Sequence, residues 1–147
     1  MFKKKLILFF IIICFSFLQT VDFSIFGVKP NLALVAVIAA AFFISDIWEG
    51  VLLAVIAALI LKFSPGFSKE ILIFFLIVAA AIIAKKYLPW RSMINLIFLI
   101  ISATLLFYVF SFPTSIISGI FIQELIYNIL IGIFIFIVFS FCVKRYI

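Results

Sequence analysis

Almost every charged residue in this chain falls in a short gap between long apolar runs. That placement constrains the fold more than any motif does. Of 147 residues, 70% are hydrophobic, and only 11 Lys and Arg and 5 Asp and Glu are present. A soluble domain would carry about a quarter charged residues. A surface this apolar is suited to bilayer hydrocarbon, which forces the backbone into helices or closed barrels because nothing else there satisfies its polar groups. The charges should therefore mark the turns of a multi-pass helical protein and report its orientation.

The punctuation agrees. Pro30, Pro65, Pro89 and Pro113 fall between apolar runs, Gly27, Gly50, Gly66 and Gly119 fall between them or at their first residues, and only Gly132 is interior. Helix breakers at such positions argue for real boundaries. The runs cover residues 5–24, 31–46, 49–63, 70–88, 92–111 and 118–143. Phe and Ile are frequent in them, yet the lack of polar–apolar alternation favours helices over membrane strands.

The second and third runs are shorter than the roughly 20 apolar residues a straight span needs. Two short spans, one long helix or a re-entrant pair are the alternatives, and basic residues discriminate among them. Six spans with the N-terminus inside put Lys3, Lys4, Lys5, Lys85, Lys86, Arg91, Lys144 and Arg145 on the cytoplasmic side, against Lys29, Lys62 and Lys69 outside. Fusing 31–61 into one span leaves Lys3, Lys4, Lys5, Lys62 and Lys69 inside and the other basic residues outside. Cytoplasmic enrichment of Lys and Arg selects six spans with both termini cytoplasmic, and a re-entrant pair fails the same count. The expectation is an all-α integral membrane protein forming one transmembrane domain over residues 1–147.

At the N-terminus, Lys3-Lys4-Lys5 and Leu6–Leu18 have the shape of a signal peptide. The following Phe17-Leu18-Gln19-Thr20-Val21-Asp22-Phe23 lacks the small residues of a cleavage site, and Ile13 before Cys14 argues against a lipoprotein signal. An uncleaved first span is expected. The net charge of +6 reads as topology signal rather than as a nucleic-acid patch. Cys14 and Cys142 suggest neither a disulfide nor a metal site; they read as small apolar residues in helices.

Small residues recur at four-residue spacing at Gly50/Ala54/Ala58, Ala36/Ala40 and Ala80/Ala84. This spacing lets helices approach closely in lipid, so spans two, three and four should form the tight core. No catalytic constellation is present: the chain has no His, no glycine-rich phosphate loop and no paired acids within a span. Glu124 is the one acid inside a span, with Gln123, Tyr127 and Asn128 at helical spacing. A carboxylate at that depth is costly unless paired. It should contact another helix or a partner subunit, or else reach the outer headgroups near Lys29 or Lys69. Asp46 and Glu49 flank the interfacial Trp48 in a turn and could pair with Lys85, Lys86 or Arg91. Trp90 and Arg91 resemble the same interfacial belt, and Asn95, Ser102 and Thr104 are candidates for interhelical hydrogen bonds.

With these residues in view, the chain resembles the MreD family of rod shape-determining proteins. Val28-Lys29-Pro30-Asn31-Leu32 resembles that family's basic-Pro-Asn/Asp-Leu signature, and Trp48-Glu49-Gly50 with the following Ala/Leu run resembles its third span. Phe63-Ser64-Pro65-Gly66-Phe67 is similar to its outer loop, and Glu124–Leu130 with Lys144-Arg145 to its last span and basic tail. Order and spacing match over nearly the whole chain. One departure is plain: family members often carry an Asp before the Ser-Gly loop, and Leu59–Phe63 contains no acid.

The resemblance implies a non-enzymatic, cofactor-free scaffold subunit of the bacterial cell-shape and peptidoglycan-elongation machinery in the cytoplasmic (inner) membrane. It implies an MreC-like bitopic partner and, through it, the elongation glycosyltransferase and transpeptidase and the actin-like MreB. Its fold is similar to the substrate-binding subunits of energy-coupling-factor transporters, so the alternative is a vitamin-binding subunit of such a transporter. The polar residues clustered near the outer side nominate Lys29, Pro30, Asn31, Gln123, Glu124, Tyr127 and Asn128 as the partner-binding surface.

Overall fold

The computed structural model describes residues 2–21, 23–62, 69–89 and 91–144. The expectations for Asp22, Trp90, Arg145 and the Phe63–Phe67 loop lie outside them. The described chain is all-helical: α1 (Phe2–Thr20), α2 (Leu32–Ala41), α3 (Ile47–Leu61), α4 (Lys69–Ala84), α5 (Ser92–Ser111) and α6 (Gly119–Lys144), with a 3₁₀ turn at Pro113–Ser115 before α6. Two helices, α5 and α6, are long and apolar enough to cross a membrane.

The architecture is a post inside a ring. α2 is a ten-residue helix in which every residue is buried. The other five surround it in the order α1, α3, α4, α5, α6, each packing on α2 and on its neighbours. The ring is thinnest where α6 meets α1. Composition explains why α2 takes the centre. Leu-Ala-Leu-Val-Ala-Val-Ile-Ala-Ala-Ala has no polar stripe to turn outward, and its alanines let five neighbours come close.

Close approach elsewhere depends on glycine. A Cβ at Gly132 of α6 would lie 2.2 Å from Ile100 Cδ1 on α5 and 3.2 Å from Val35 Cγ1 on α2. A Cβ at Gly50 would lie 3.0 Å from Ile82 on α4. The Gly50/Ala54/Ala58 and Ala36/Ala40 repeats are buried, but Ala80 is exposed and Ala84 half-buried, while Ala81 faces inward. The tight core is thus α2 and the inner faces around it. α5 buries Asn95, Leu96, Leu99, Ile100, Ala103, Thr104 and Tyr108, more than either α3 or α4.

Three helices stop before their apolar runs do. α1 ends at Thr20, whose hydroxyl bonds the carbonyl of Phe17 at 2.6 Å. α2 ends at Ala41, with Phe42, Phe43 and Ile44 continuing in tight turns. α4 ends at Ala84 ahead of a Lys85–Tyr87 turn. Between α1 and α2, Ile25 and Val28 exchange backbone hydrogen bonds of 2.8 and 3.0 Å. The two residues they bracket, Phe26 (φ +49°) and Gly27 (φ +81°), are both left-handed, as in a type I′ turn. Glycine adopts this backbone without strain, whereas phenylalanine does so at a cost of about 1–2 kcal/mol. Phe26 is nonetheless 96% exposed at the tip.

Hydrogen bonds define two ends. At one, Lys5 of α1 pairs with Glu49 of α3, and the Lys85 ammonium donates to the carbonyls of Ala41 and, at 2.8 Å, Ile44. Asp46 there caps α3, accepting from Trp48 N at 3.2 Å. The opposite end is organised by Asn31. The expected pairing of Asp46 and Glu49 with Lys85, Lys86 or Arg91 is replaced by these contacts, because packing of α1 on α3 brings Lys5 to Glu49 while Lys85 turns to the end of α2.

Candidate functional site

A helix begins with backbone N–H groups that have no partner inside it, and burying them unpaired is costly. α2 begins in the interior, so its first turn must be satisfied by other groups. Asn31 caps it, its side-chain oxygen accepting from Leu34 N at 3.3 Å. Gln19, on the last turn of α1, accepts from Ala33 N at 2.8 Å. Leu32 N bonds the Pro30 carbonyl at 3.0 Å. Asn128, on α6 and fully buried, accepts from Asn31 N at 2.9 Å. Its amide nitrogen donates to Thr104 of α5 at 3.2 Å. One buried side chain therefore ties α6 to both α2 and α5.

One turn before Asn128, Glu124 accepts a hydrogen bond from the Tyr108 hydroxyl of α5 and is 8% exposed. The Tyr108 ring is held edge-on by Phe121 at 4.9 Å and Phe112 at 6.3 Å. Beside this pair lies a cavity of about 250 Å³, bounded by Gln19, Phe23, Lys29, Pro30, Asn31, Phe107, Tyr108, Phe112 and Glu124.

Of the residues nominated from sequence, Asn31, Glu124 and Asn128 are buried and committed to bonds within the bundle, and Pro30 is buried beside them. Lys29 and Gln123 are exposed and Tyr127 is half-buried. The structure thus joins Asn31 to Asn128 directly, places Glu124 and Lys29 on one cavity, and leaves Gln123 on the outer face of α6. Thr104 bonds Asn128, and Asn95 donates to the Leu88 carbonyl at 3.2 Å. Sequence reasoning missed Tyr108 and the rings of Phe23, Phe107 and Phe112. Tyr108 carries the one available signal, a hydroxyl within an apolar span near the same end as Glu124.

The arrangement has hydrogen-bonding groups and one carboxyl but no nucleophile–base pair. Among the described residues, no three His, Cys, Asp or Glu side chains come together to hold a metal ion. No family model matches the chain, and no curated protein or solved structure matches it significantly.

Proposed function

We propose that the chain is a six-span subunit of a bacterial cytoplasmic membrane, with both termini cytoplasmic, that acts without catalysis by docking another membrane protein. Its distribution of side chains supports the membrane reading. Asn31, Asn95, Thr104, Glu124 and Asn128 are buried, while Phe10, Phe17, Leu52, Leu76, Phe110, Ile126, Leu130, Phe134 and Phe141 are exposed. Large exposed apolar surface of this kind marks contact with lipid or another protein. Trp48 and Tyr87, both well exposed near the Lys85 end, suit a membrane interface. Lys5, Glu49 and Lys85 lie at one end of the bundle and Lys29 at the other, which supports the orientation inferred from the charge count.

The proposed role is that of a scaffold in cell-wall elongation, holding an MreC-like bitopic protein. The single observation that carries it is the Asn31–Asn128 hydrogen bond. It joins two of the segments, Val28–Leu32 and Glu124–Leu130, that carry the resemblance to the MreD family. The thin α1–α6 junction beside those segments, with Lys29 and Gln123 exposed, is the proposed docking surface. Co-purification with an MreC-like protein tests it. Lys29→Glu with Gln123→Arg should weaken capture about tenfold or more while leaving the fold intact. Undiminished capture would show the surface to be elsewhere. The cavity favours a second reading, a small-molecule-binding subunit of an energy-coupling-factor transporter, for which vitamin binding to the purified chain alone is the test.

A further inference from the structure

Glu124 presents an electrostatic problem. Buried carboxylates are stable when a cation or several donors compensate them. Glu124 has two neutral donors beside it, the Tyr108 hydroxyl and the Asn128 amide, and the ion pair seen among the described residues, Lys5–Glu49, lies at the opposite end. Glu124 also lines a cavity rather than packed hydrocarbon. Four of the other eight residues around it are aromatic: Phe23, Phe107, Tyr108 and Phe112. Two of these contacts are already formed, Phe107–Phe112 at 6.4 Å and Tyr108–Phe112 at 6.3 Å.

A carboxyl set among aromatic rings is the chemistry that recognises an organic ammonium, which gains from the charge and from cation–π attraction without needing many oxygen ligands. A hard metal ion fits poorly, since calcium or magnesium takes about six or more oxygens. We propose that this cavity binds a primary ammonium group, with the Glu124 carboxylate as its counter-ion and the rings of Phe23, Phe107, Tyr108 and Phe112 around it. Phosphoethanolamine carries such an ammonium group. That chemistry occurs both as a lipid headgroup and as a free solute. The site shares Lys29 with the docking surface proposed above, but its ligand test does not depend on that surface.

Calorimetry with O-phosphoethanolamine on the full chain in a neutral detergent, and mass spectrometry of lipid retained from nanodiscs containing phosphatidylethanolamine, test the assignment. Saturable binding of the free compound identifies a solute site, and retention of the lipid alone identifies a headgroup site. Either result supports the proposal. Glu124→Gln keeps the shape of the side chain and a hydrogen bond to Tyr108, and should weaken binding about tenfold or more. The N-acetyl analogue, which lacks the positive charge, provides a check on the unaltered protein and should not compete. Equal binding of that analogue, undiminished binding by a folded Glu124→Gln variant, or no ammonium binding in either arm would overturn the proposal. In those cases Glu124 is a neutral interhelical contact.

Discussion

The two ends of α2 solve the same problem by different means. Both expose backbone polar groups inside the bundle. At the Asn31 end, neutral amides from α1 and α6 and the helix's own cap each take one N–H, and Asn128 passes the network on to α5. At the Lys85 end, one flexible, half-buried side chain from beyond α4 reaches two carbonyls. The amide end is specified by geometry, since each group has one position from which it works. The lysine end is specified by charge, and a long side chain forgives displacement. Rigidity should therefore concentrate at the Asn31 end.

The strongest way to break this contrast is Asn128→Leu, which leaves Asn31 N and the Thr104 hydroxyl buried without their partner. A loss on the order of 3 kcal/mol is expected in equilibrium unfolding in micelles. Gly132→Ala should follow at about 2 kcal/mol, because its Cβ meets both Ile100 and Val35 in a packed interior. Lys85→Met, which keeps the aliphatic reach but removes the donor, should cost about 1–2 kcal/mol in the same assay. If it costs more than Asn128→Leu, the proposed order of the two ends is reversed. Lys5→Gln should have the smallest effect, about 0.5 kcal/mol, since its ion pair with Glu49 is partly exposed. Raising ionic strength should erase that difference and leave the Asn128 effect unchanged.

Element existence was the legible part of the fold, because Pro30, Pro89 and Pro113 and the charged gaps divide the chain where the helices divide it. Where helices stop was less legible. Val21 and Phe42–Ile44 are as apolar as the helices they follow, and hydrogen bonds from the Thr20 hydroxyl and the Lys85 ammonium take the carbonyls at those ends instead. Asn31, Glu124 and Asn128 stood out because polar side chains in apolar runs need partners, but their partners did not, since Asn31 and Asn128 are 97 positions apart. Four-residue spacing identified the Gly50 and Ala36 faces yet nominated Ala80 and Ala84, because spacing defines a stripe without saying which stripe faces the post. The cavity was the least legible feature, being made of rings from α5, the loop after α1 and the residue just before the 3₁₀ turn, which no single segment announces.

The turn at Phe26 and Gly27 carries a consequence of a different kind. Most residues placed at the tip of a left-handed turn lower the stability of a chain, but here Asn or Gly in place of Phe26 relieves it. A library of variants selected only for folding should drift away from phenylalanine at this position. A library selected for activity in the cell should retain it if the exposed ring has a binding role. Position 26 is therefore a place where selection for persistence and selection for use pull one side chain in opposite directions, and sequencing the two survivor populations would show which pull is stronger.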